Sequence, residues 1–180
     1  MLMASAARPT GRTTLMQDIA SRIDARDGAG ALDAEAALHI ALARRSRGEA
    51  AADRGWDVFS LESAHVGPGG YATFSYGVAI DAGLIEPKAH VALCWSSAIE
   101  LDAVSRGSSI LTADLDLTIR NSAGTVVAQA SSWDNSYEVV EFCPLASENY
   151  QIVIRRSSGT EPVWCGIAWI VRDAAHGGRG

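Results

Sequence analysis

A chain of 180 residues, 48% of them hydrophobic, is sufficient for one hydrophobic core, or for one domain with an appendage. The formal net charge of -6, with no face rich in lysine or arginine, argues against nucleic acid and anionic membranes as partners. No stretch approaches the roughly 20 consecutive apolar residues of a membrane helix. We therefore expect a soluble protein with neither kind of partner.

The first 45 residues have a helical pattern. Residues 1–6 are predicted to end a helix that Pro9 and Gly11 terminate. Asp33 is a suitable N-cap for a second helix over residues 34–45. Small and apolar residues recur in it at helical spacing and predict one closely packed face, formed by Ala34, Ala37, Leu38, Ala41 and Leu42.

Beyond this helix the periodicity changes to that of β-strands. Residues 46–55 are polar and rich in alanine, which predicts a linker, and residues 174–180 are expected to be a flexible tail. Between them the eight candidate strands are 56–62, 71–77, 88–96, 114–120, 125–130, 137–142, 149–155 and 162–172. Residues 121–124 (NSAG) have the composition of a tight turn and predict a hairpin. The expected fold is mainly β, an antiparallel β-sandwich or jelly roll of about eight strands over residues 56–173, preceded by a short helical segment.

The three cysteines, Cys94, Cys143 and Cys165, fall in or beside predicted strands and not at the spacing of metal ligands. Two interpretations stay open, buried thiols or one disulfide with one free cysteine. The sequence also contains no nucleophile, phosphate-loop or zinc motif, and its four histidines are not paired at metal spacing. No residue is therefore predicted to be catalytic, and no cofactor is required.

Oxygen-bearing side chains form the one cluster that could carry chemistry. Its members are Asp114, Asp116, Asp134, Asn135 and Glu138. Such ligands could bind calcium if they converged at about 2.3–2.6 Å. The favoured alternative is a solvated or hydrogen-bonded acidic edge, in which an arginine such as Arg120 or Arg155 compensates the repelling carboxylates.

Aromatic residues are the other candidates for binding. Trp133 and Tyr137 adjoin the acidic cluster and could contact a glycan or a peptide, with packing as the alternative for each. For Trp56, packing is the favoured interpretation.

The order of several segments resembles a known family. HVALCW, DLDLTIRNSAGTVVAQASS, WDNSYEVVEF, YQIVIRR and GIAWIV follow one another as in the C-terminal β-sandwich of many subtilisin-like serine proteases. DLDL at residues 114–117, followed by DNSYE at 134–138, is the more specific part. MLMASAA at residues 1–7 resembles the end of the helix that follows the helix of the catalytic serine, and RDGAGALDAEAAL at 26–38 resembles the segment closing the catalytic domain. The resemblance covers nearly the whole chain, in the order of the family.

The resemblance implies that residues 1–45 are the C-terminal remnant of a subtilase catalytic domain and that the sandwich is its accessory domain. In this family of hydrolases the catalytic Asp, His and Ser and the oxyanion Asn all precede the segment that residues 1–7 resemble. None of them is in this sequence, so the chain itself is not expected to cleave peptide bonds. It would be a fragment, a truncated product or a sequence whose start codon was assigned too far downstream.

Two functions are compatible with this sequence. In the first, the sandwich stabilises a subtilisin-like catalytic domain or helps to position its substrate, and that domain is the partner, either upstream in a parent chain or separate. Residues 1–45 would then be poorly anchored in the isolated chain, because their packing surface would be missing. The alternative is a free-standing β-sandwich that binds a glycan, a peptide or calcium.

Overall fold

The computed structural model describes residues 1–6, 32–43, 46–96, 99–101, 109–133, 135–146 and 148–173. Within them lie two short helices, α1 (Leu2–Ser5) and α2 (Ala34–Leu42), and two 3₁₀ turns, Ser63–His65 and Pro68–Gly70. The strands are β1 (Arg54–Leu61), β2 (Tyr71–Val78), β3 (Pro87–Trp95), β4 (Ile99–Leu101), β5 (Ser109–Leu111), β6 (Asp114–Asn121), β7 (Val126–Ala130), β8 (Tyr137–Phe142), β9 (Tyr150–Ser158) and β10 (Val163–Asp173). No helix among the described residues is long and apolar enough to cross a membrane.

Eight of the described strands form two four-stranded sheets. The first sheet has the order β1-β10-β3-β8, the second sheet has the order β2-β9-β6-β7, and neighbouring strands in both are antiparallel. Successive strands of this set alternate between the two sheets, except that β6 and β7 form a hairpin within the second sheet. This is the connectivity of a jelly roll. The prediction of an antiparallel β-sandwich preceded by a short helical segment is therefore confirmed. The sequence pattern missed β4 and β5, which pair only with each other over three residues each.

The main core lies between the two sheets and follows from alternation along the strands. In β6, Leu115, Leu117 and Ile119 are fully buried, whereas the residues between them face outward. Ile152 and Ile154 of β9 alternate in the same way. Trp169 of β10 is the largest fully buried side chain of this core.

Two glycines fix the ends of strands by their backbone conformation. Gly124 has a φ of 79°, and its N–H donates to the carbonyl of Asn121 at 2.9 Å, so the predicted NSAG hairpin turn is confirmed. Gly159, between β9 and β10, has a φ of 82°, and a Cβ there would lie 2.2 Å from the carbonyl oxygen of Thr112. A side chain at position 159 would therefore combine backbone strain with a collision.

A second apolar cluster lies on the outer face of the first sheet, where both helices pack. Small side chains let the helix backbones approach the sheet closely, and the buried members are Ala4, Ala36, Ile40, Ala92, Val139, Ala168 and Ile170. Arg172 of β10 binds both helical segments, since its Nη1 lies 2.6 Å from the Asp33 carboxylate and its Nη2 donates to the Ala6 carbonyl at 2.8 Å. The described parts of residues 1–45 thus find their packing surface within the chain, contrary to the expectation that this surface is missing.

Helix α2 begins as predicted but buries a different face. The Asp33 carboxylate accepts a hydrogen bond from the Ala36 N–H at 2.9 Å, so the predicted N-cap is confirmed. The buried residues are Ala36 and Ile40, one turn apart, whereas the predicted packing face is largely exposed. The helix ends at Leu42. Helical periodicity identified an apolar face, but α2 has two, and only the tertiary structure shows which one meets the sheet.

The segment predicted to be a linker is bonded to the sandwich. Trp169 Nε1 donates to the carbonyl of Ala52 at 3.1 Å, and the N–H of Val171 donates to that of Asp53 at 2.7 Å. Strand β1 already begins at Arg54. Residues 46–55 are therefore not a free linker, because a side chain and a backbone N–H of β10 donate to their carbonyl groups. The predicted tail at 174–180 lies outside the described residues.

Candidate functional site

The predicted acidic edge lies on the outer face of the second sheet. Asp114 and Asp116 project outward from β6 because Leu115 and Leu117 project into the core. Asp116 is hydrogen-bonded by the Ser157 hydroxyl, and its Oδ2 lies 3.5 Å from Nη1 of Arg155. Arg155 is therefore the compensating arginine that the sequence suggested, and Asp116 belongs to a hydrogen-bonded edge.

Asp114 is less well compensated than Asp116. Burial, and then the neighbouring Asp116 carboxylate, raise the pKa of Asp114 above its usual value. Its Oδ1 is buried and accepts no hydrogen bond from any described residue. The ionised form of Asp114 therefore costs stability in the folded chain.

Glu138 and Asn135 belong to a different part of the molecule. Glu138 is fully buried on β8 and lies on the same strand face as the core residue Val140, so it points between the sheets. Its carboxylate accepts a hydrogen bond from the Ser132 N–H at 2.5 Å, and the Asn135 amide donates to the Ser132 hydroxyl at 2.8 Å. These bonds hold the connection between β7 and β8 in place.

The five predicted calcium ligands therefore do not share one surface. Asp114 and Asp116 face outward from the second sheet, Glu138 faces inward, and Asp134 lies outside the described residues. Among the residues that the structure describes, no group of three or more His, Cys, Asp or Glu side chains is placed to hold a metal ion. Calcium binding at this edge stays a prediction.

Asp114→Asn should stabilise the chain by roughly 0.5–1 kcal/mol at pH 7, because it removes a poorly compensated charge. The pKa of Asp114 is higher in the folded chain than in the unfolded chain, where it is about 3.9. The wild-type protein therefore loses stability as the pH rises from about 3.9 through the folded-state pKa of Asp114. The gain of the variant should therefore vanish below about pH 3.9. Urea unfolding at several pH values measures the difference in stability between the variant and wild type.

Asp116→Asn is the contrasting variant and should destabilise the chain, because Asp116 is bonded to Arg155 and Ser157. Repeating the unfolding with calcium tests the metal prediction. If Asp114 bound calcium, the ion would stabilise wild type, and Asp114→Asn would then be less stable than wild type. A lower stability of Asp114→Asn without calcium at pH 7 would contradict the charge argument.

The predicted aromatic contacts have different surroundings. Trp133 is 81% exposed, whereas Tyr137 is half-buried at the start of β8, where it pairs with Cys94. Trp56 packs against the second cluster and donates to the Ala43 carbonyl at 3.0 Å, which confirms the packing interpretation. The sequence analysis missed Trp164, 64% exposed on β10. The sequence could have indicated this exposure, because Trp164 lies between two buried residues at the alternating start of the strand.

The three cysteines are free thiols in the structure. Cys165 is buried in the core, and burial raises the pKa of its thiol to about 12. Cys94 and Cys143 are exposed. The interpretation as buried thiols thus holds for Cys165 alone, and no disulfide is formed.

A buried charged group that the sequence analysis missed lies at one edge of the sandwich. Asp57 faces inward from β1, and its carboxylate accepts hydrogen bonds from the Tyr76 hydroxyl and from Arg47 Nε, both at 2.7 Å. Strands β1 and β2 are edge strands of their sheets, so the hydrogen bond between Asp57 of β1 and Tyr76 of β2 joins the two sheets at that edge. The signal in the sequence was an acidic residue at an inward position of an alternating strand.

A polar cavity of about 170 Å³ opens on the outer face of the second sheet, beside Asp116. All four strands of that sheet contribute to it, and the polar residues around it are Tyr71, Asp116, Thr118, Arg120, Gln129, Ser131 and Arg155.

Comparison with models of known protein families and with curated protein sequences finds no match for this chain.

Proposed function

We propose that this chain is the non-catalytic C-terminal part of a subtilisin-like serine protease, in which the β-sandwich stabilises the catalytic domain. The packing of α1 and α2 on the sandwich is not what this proposal led us to expect, so the observation that supports it is the apolar side of both helices that stays exposed. Helix α1 and the start of α2 are the described parts of the segments that resemble the end of such a catalytic domain. A sandwich that holds the end of a domain is coupled to the folding of that domain.

The contacts of this packing are specific and buried. Ala4 and Ile40 are fully buried against Ala168 and Ile170 of β10, and burying an isoleucine contributes roughly 1.5–3 kcal/mol. The bonds from Arg172 to Asp33 and to the Ala6 carbonyl fix both segments on the same strand. Stabilisation of the catalytic domain is therefore favoured over positioning of its substrate, since the contacts hold helical segments of that domain.

The opposite side of the helices is also apolar and is exposed. Leu38 and Leu42 are 55% and 75% exposed, and Leu2 of α1 is exposed as well. An apolar helix that buries one side and exposes the other has surface for a second partner. We assign this exposed helical surface, Leu2, Leu38 and Leu42, to contact with the remainder of the catalytic domain.

The proposal is tested first on the DNA that precedes the Met1 codon. We expect sequence encoding a subtilisin-like Asp, His and GTS-type serine motif, either in frame or in an adjacent gene. That catalytic domain, co-expressed as a separate polypeptide, should co-elute with the chain in size-exclusion chromatography. The double variant Leu38→Lys/Leu42→Lys should weaken the complex at least about tenfold, because each lysine places a charge in the apolar contact.

Val127→Lys/Leu145→Lys is the matched control, since it changes two exposed apolar residues elsewhere and should leave the complex intact. The absence of any subtilisin-like sequence from the upstream and adjacent DNA would overturn the proposal. A complex that tolerates both leucine substitutions would overturn the assigned surface.

The second candidate is a free-standing binding module, and the exposure of Trp133 favours it. This indole is 81% exposed on a connection that Glu138 holds by its bond to Ser132, so it is a positioned aromatic surface. The co-expression experiment separates the two candidates, because a free-standing module would elute alone beside the catalytic domain.

A further inference from the structure

The cavity on the outer face of the second sheet has the size of a single sugar ring. Its volume of about 170 Å³ equals that of about six water molecules at about 30 Å³ each. It lies on the face of the sheet, so side chains surround it and the backbone groups of the strands are engaged in pairing. A peptide that binds by adding a strand needs a sheet edge. A small ligand recognised by side chains alone suits this position better.

The charge of the cavity favours an anion. Arg155 is paired with Asp116, whereas Arg120 forms no ion pair with any carboxylate of the described residues. The nearest polar partner of Arg120 is the Tyr71 hydroxyl, at 3.4 Å from Nη2. The charged groups of the cavity lining are two guanidinium groups and one carboxylate, and Arg120 is the one of them without an ionic partner among the described residues. A planar guanidinium without an ionic partner is a suitable receptor for a carboxylate.

The remaining side chains are suited to hydroxyl groups and to a ring. Thr118 and Gln129 are cross-strand partners, so they present a hydroxyl and an amide side by side, with donors and acceptors for neighbouring hydroxyls. The ring of Tyr71 is partly exposed, and the guanidinium carbons of Arg120 and Arg155 lie 5.4 and 5.9 Å from its centroid. These contacts orient both arginines around an aromatic surface on which the carbons of a sugar ring can lie.

We propose that this cavity binds a single hexuronate, a six-carbon sugar that carries a carboxylate. The ligand carboxylate is bound by Arg120, the hydroxyls by Thr118, Gln129 and the Asp116 carboxylate, and the ring lies against Tyr71. The site does not include Trp133, and it shares only Asp116 with the predicted calcium ligands. It requires no catalytic domain, so its failure would leave the proposed function untouched.

The test is an NMR titration of the ¹⁵N-labelled chain with glucuronate, with glucose as the neutral analogue and with acetate as the bare carboxylate. Glucuronate should bind with a Kd on the order of 1 mM and shift amides of β6, β7 and β9. Glucose and acetate should each bind at least about tenfold more weakly, because each makes only part of the contacts. The spectrum of each variant also reports whether it is folded.

Arg120→Gln should weaken glucuronate binding at least about tenfold and leave the weak glucose binding unchanged, because only the carboxylate contact is lost. Gln129→Glu is a second variant and should also weaken glucuronate binding, because it places a like charge beside the ligand. Arg54→Ala, which removes a partly exposed arginine of β1, is the control and should bind as wild type. The proposal is overturned if acetate binds as tightly as glucuronate, if glucuronate causes no shifts, or if both folded variants retain full affinity.

Discussion

Arg47→Ala is expected to lower the free energy of unfolding by about 3 kcal/mol, because the fully buried Asp57 carboxylate loses its positive partner. The value lies at the lower end of the usual cost of breaking a buried pair for two reasons. Arg47 is itself 32% exposed, and Asp57 keeps its hydrogen bonds from the Tyr76 hydroxyl and the Val58 N–H. Urea unfolding at pH 7 measures the loss.

The same substitution also removes contacts with aromatic rings. The guanidinium of Arg47 lies 4.8 Å from the centroid of Phe59 and 4.7 Å from that of Phe74. Such cation–π contacts contribute roughly 0.5–1 kcal/mol each at partly exposed sites.

Burial, and then the hydrogen bond to Asp57, raise the pKa of Tyr76 above its usual value, so its hydroxyl stays a donor to the carboxylate at neutral pH.

The matched control for this edge is Arg54→Ala, which breaks the ion pair of Arg54 with Asp53. Both of those side chains are partly exposed, so the loss should not exceed about 1 kcal/mol. The double variant Arg47→Met/Asp57→Asn should recover part of the stability lost in Arg47→Ala, because the buried charge is gone. Equal losses in Arg47→Ala and Arg54→Ala would contradict the role assigned to burial.

Ile40→Ala is expected to destabilise the packing of the helices on the first sheet by about 2–4 kcal/mol. Ile40 is fully buried in the second apolar cluster, and the smaller side chain leaves a cavity between α2 and the sheet. Because this cluster lies outside the main core, the helices should detach while the sandwich stays folded. Native-state hydrogen exchange measures this local opening.

In wild type, amides of α2 should be protected from exchange, and Ile40→Ala should lower that protection at least about thirtyfold while amides of β10 and β3 keep theirs. Leu42→Ala is the control in the same helix, since Leu42 is 75% exposed and its loss should change protection little. Unprotected α2 amides in wild type would show instead that residues 1–45 are poorly anchored, as the sequence had led us to expect.

The second sheet could be predicted most readily because strands such as β6 and β9 alternate. The leucines of DLDLTIR and the isoleucines of YQIVIRR are spaced two apart, and the structure buries all of them. The NSAG turn has the residues that its backbone conformation requires. Strands β4 and β5 were missed because three residues are too few to show a period.

The candidate sites were predicted less well, because each depends on which face of which sheet a residue occupies. Asp114, Asp116 and Glu138 are close in the sequence, yet the first two face outward and the third faces into the core. Arg155 could be named as a partner of the acidic edge, since a carboxylate pair needs a cation. Arg47 and Tyr76 could not be assigned to Asp57, because they come from a segment read as a linker and from the other sheet.

The sequence by itself determined the positions of eight strands along the chain, the inward and outward residues of alternating strands such as β6 and β9, the hairpin turn after β6 and the N-cap of α2. These features follow from interactions between residues a few positions apart, which a linear pattern records. Only the tertiary structure decided that the helices pack on the first sheet, that Asp57 closes an edge, and that six polar residues from four strands surround one cavity. Those arrangements join residues as far apart as Asp33 and Arg172, and the free energy of such contacts depends on the packing of both sheets.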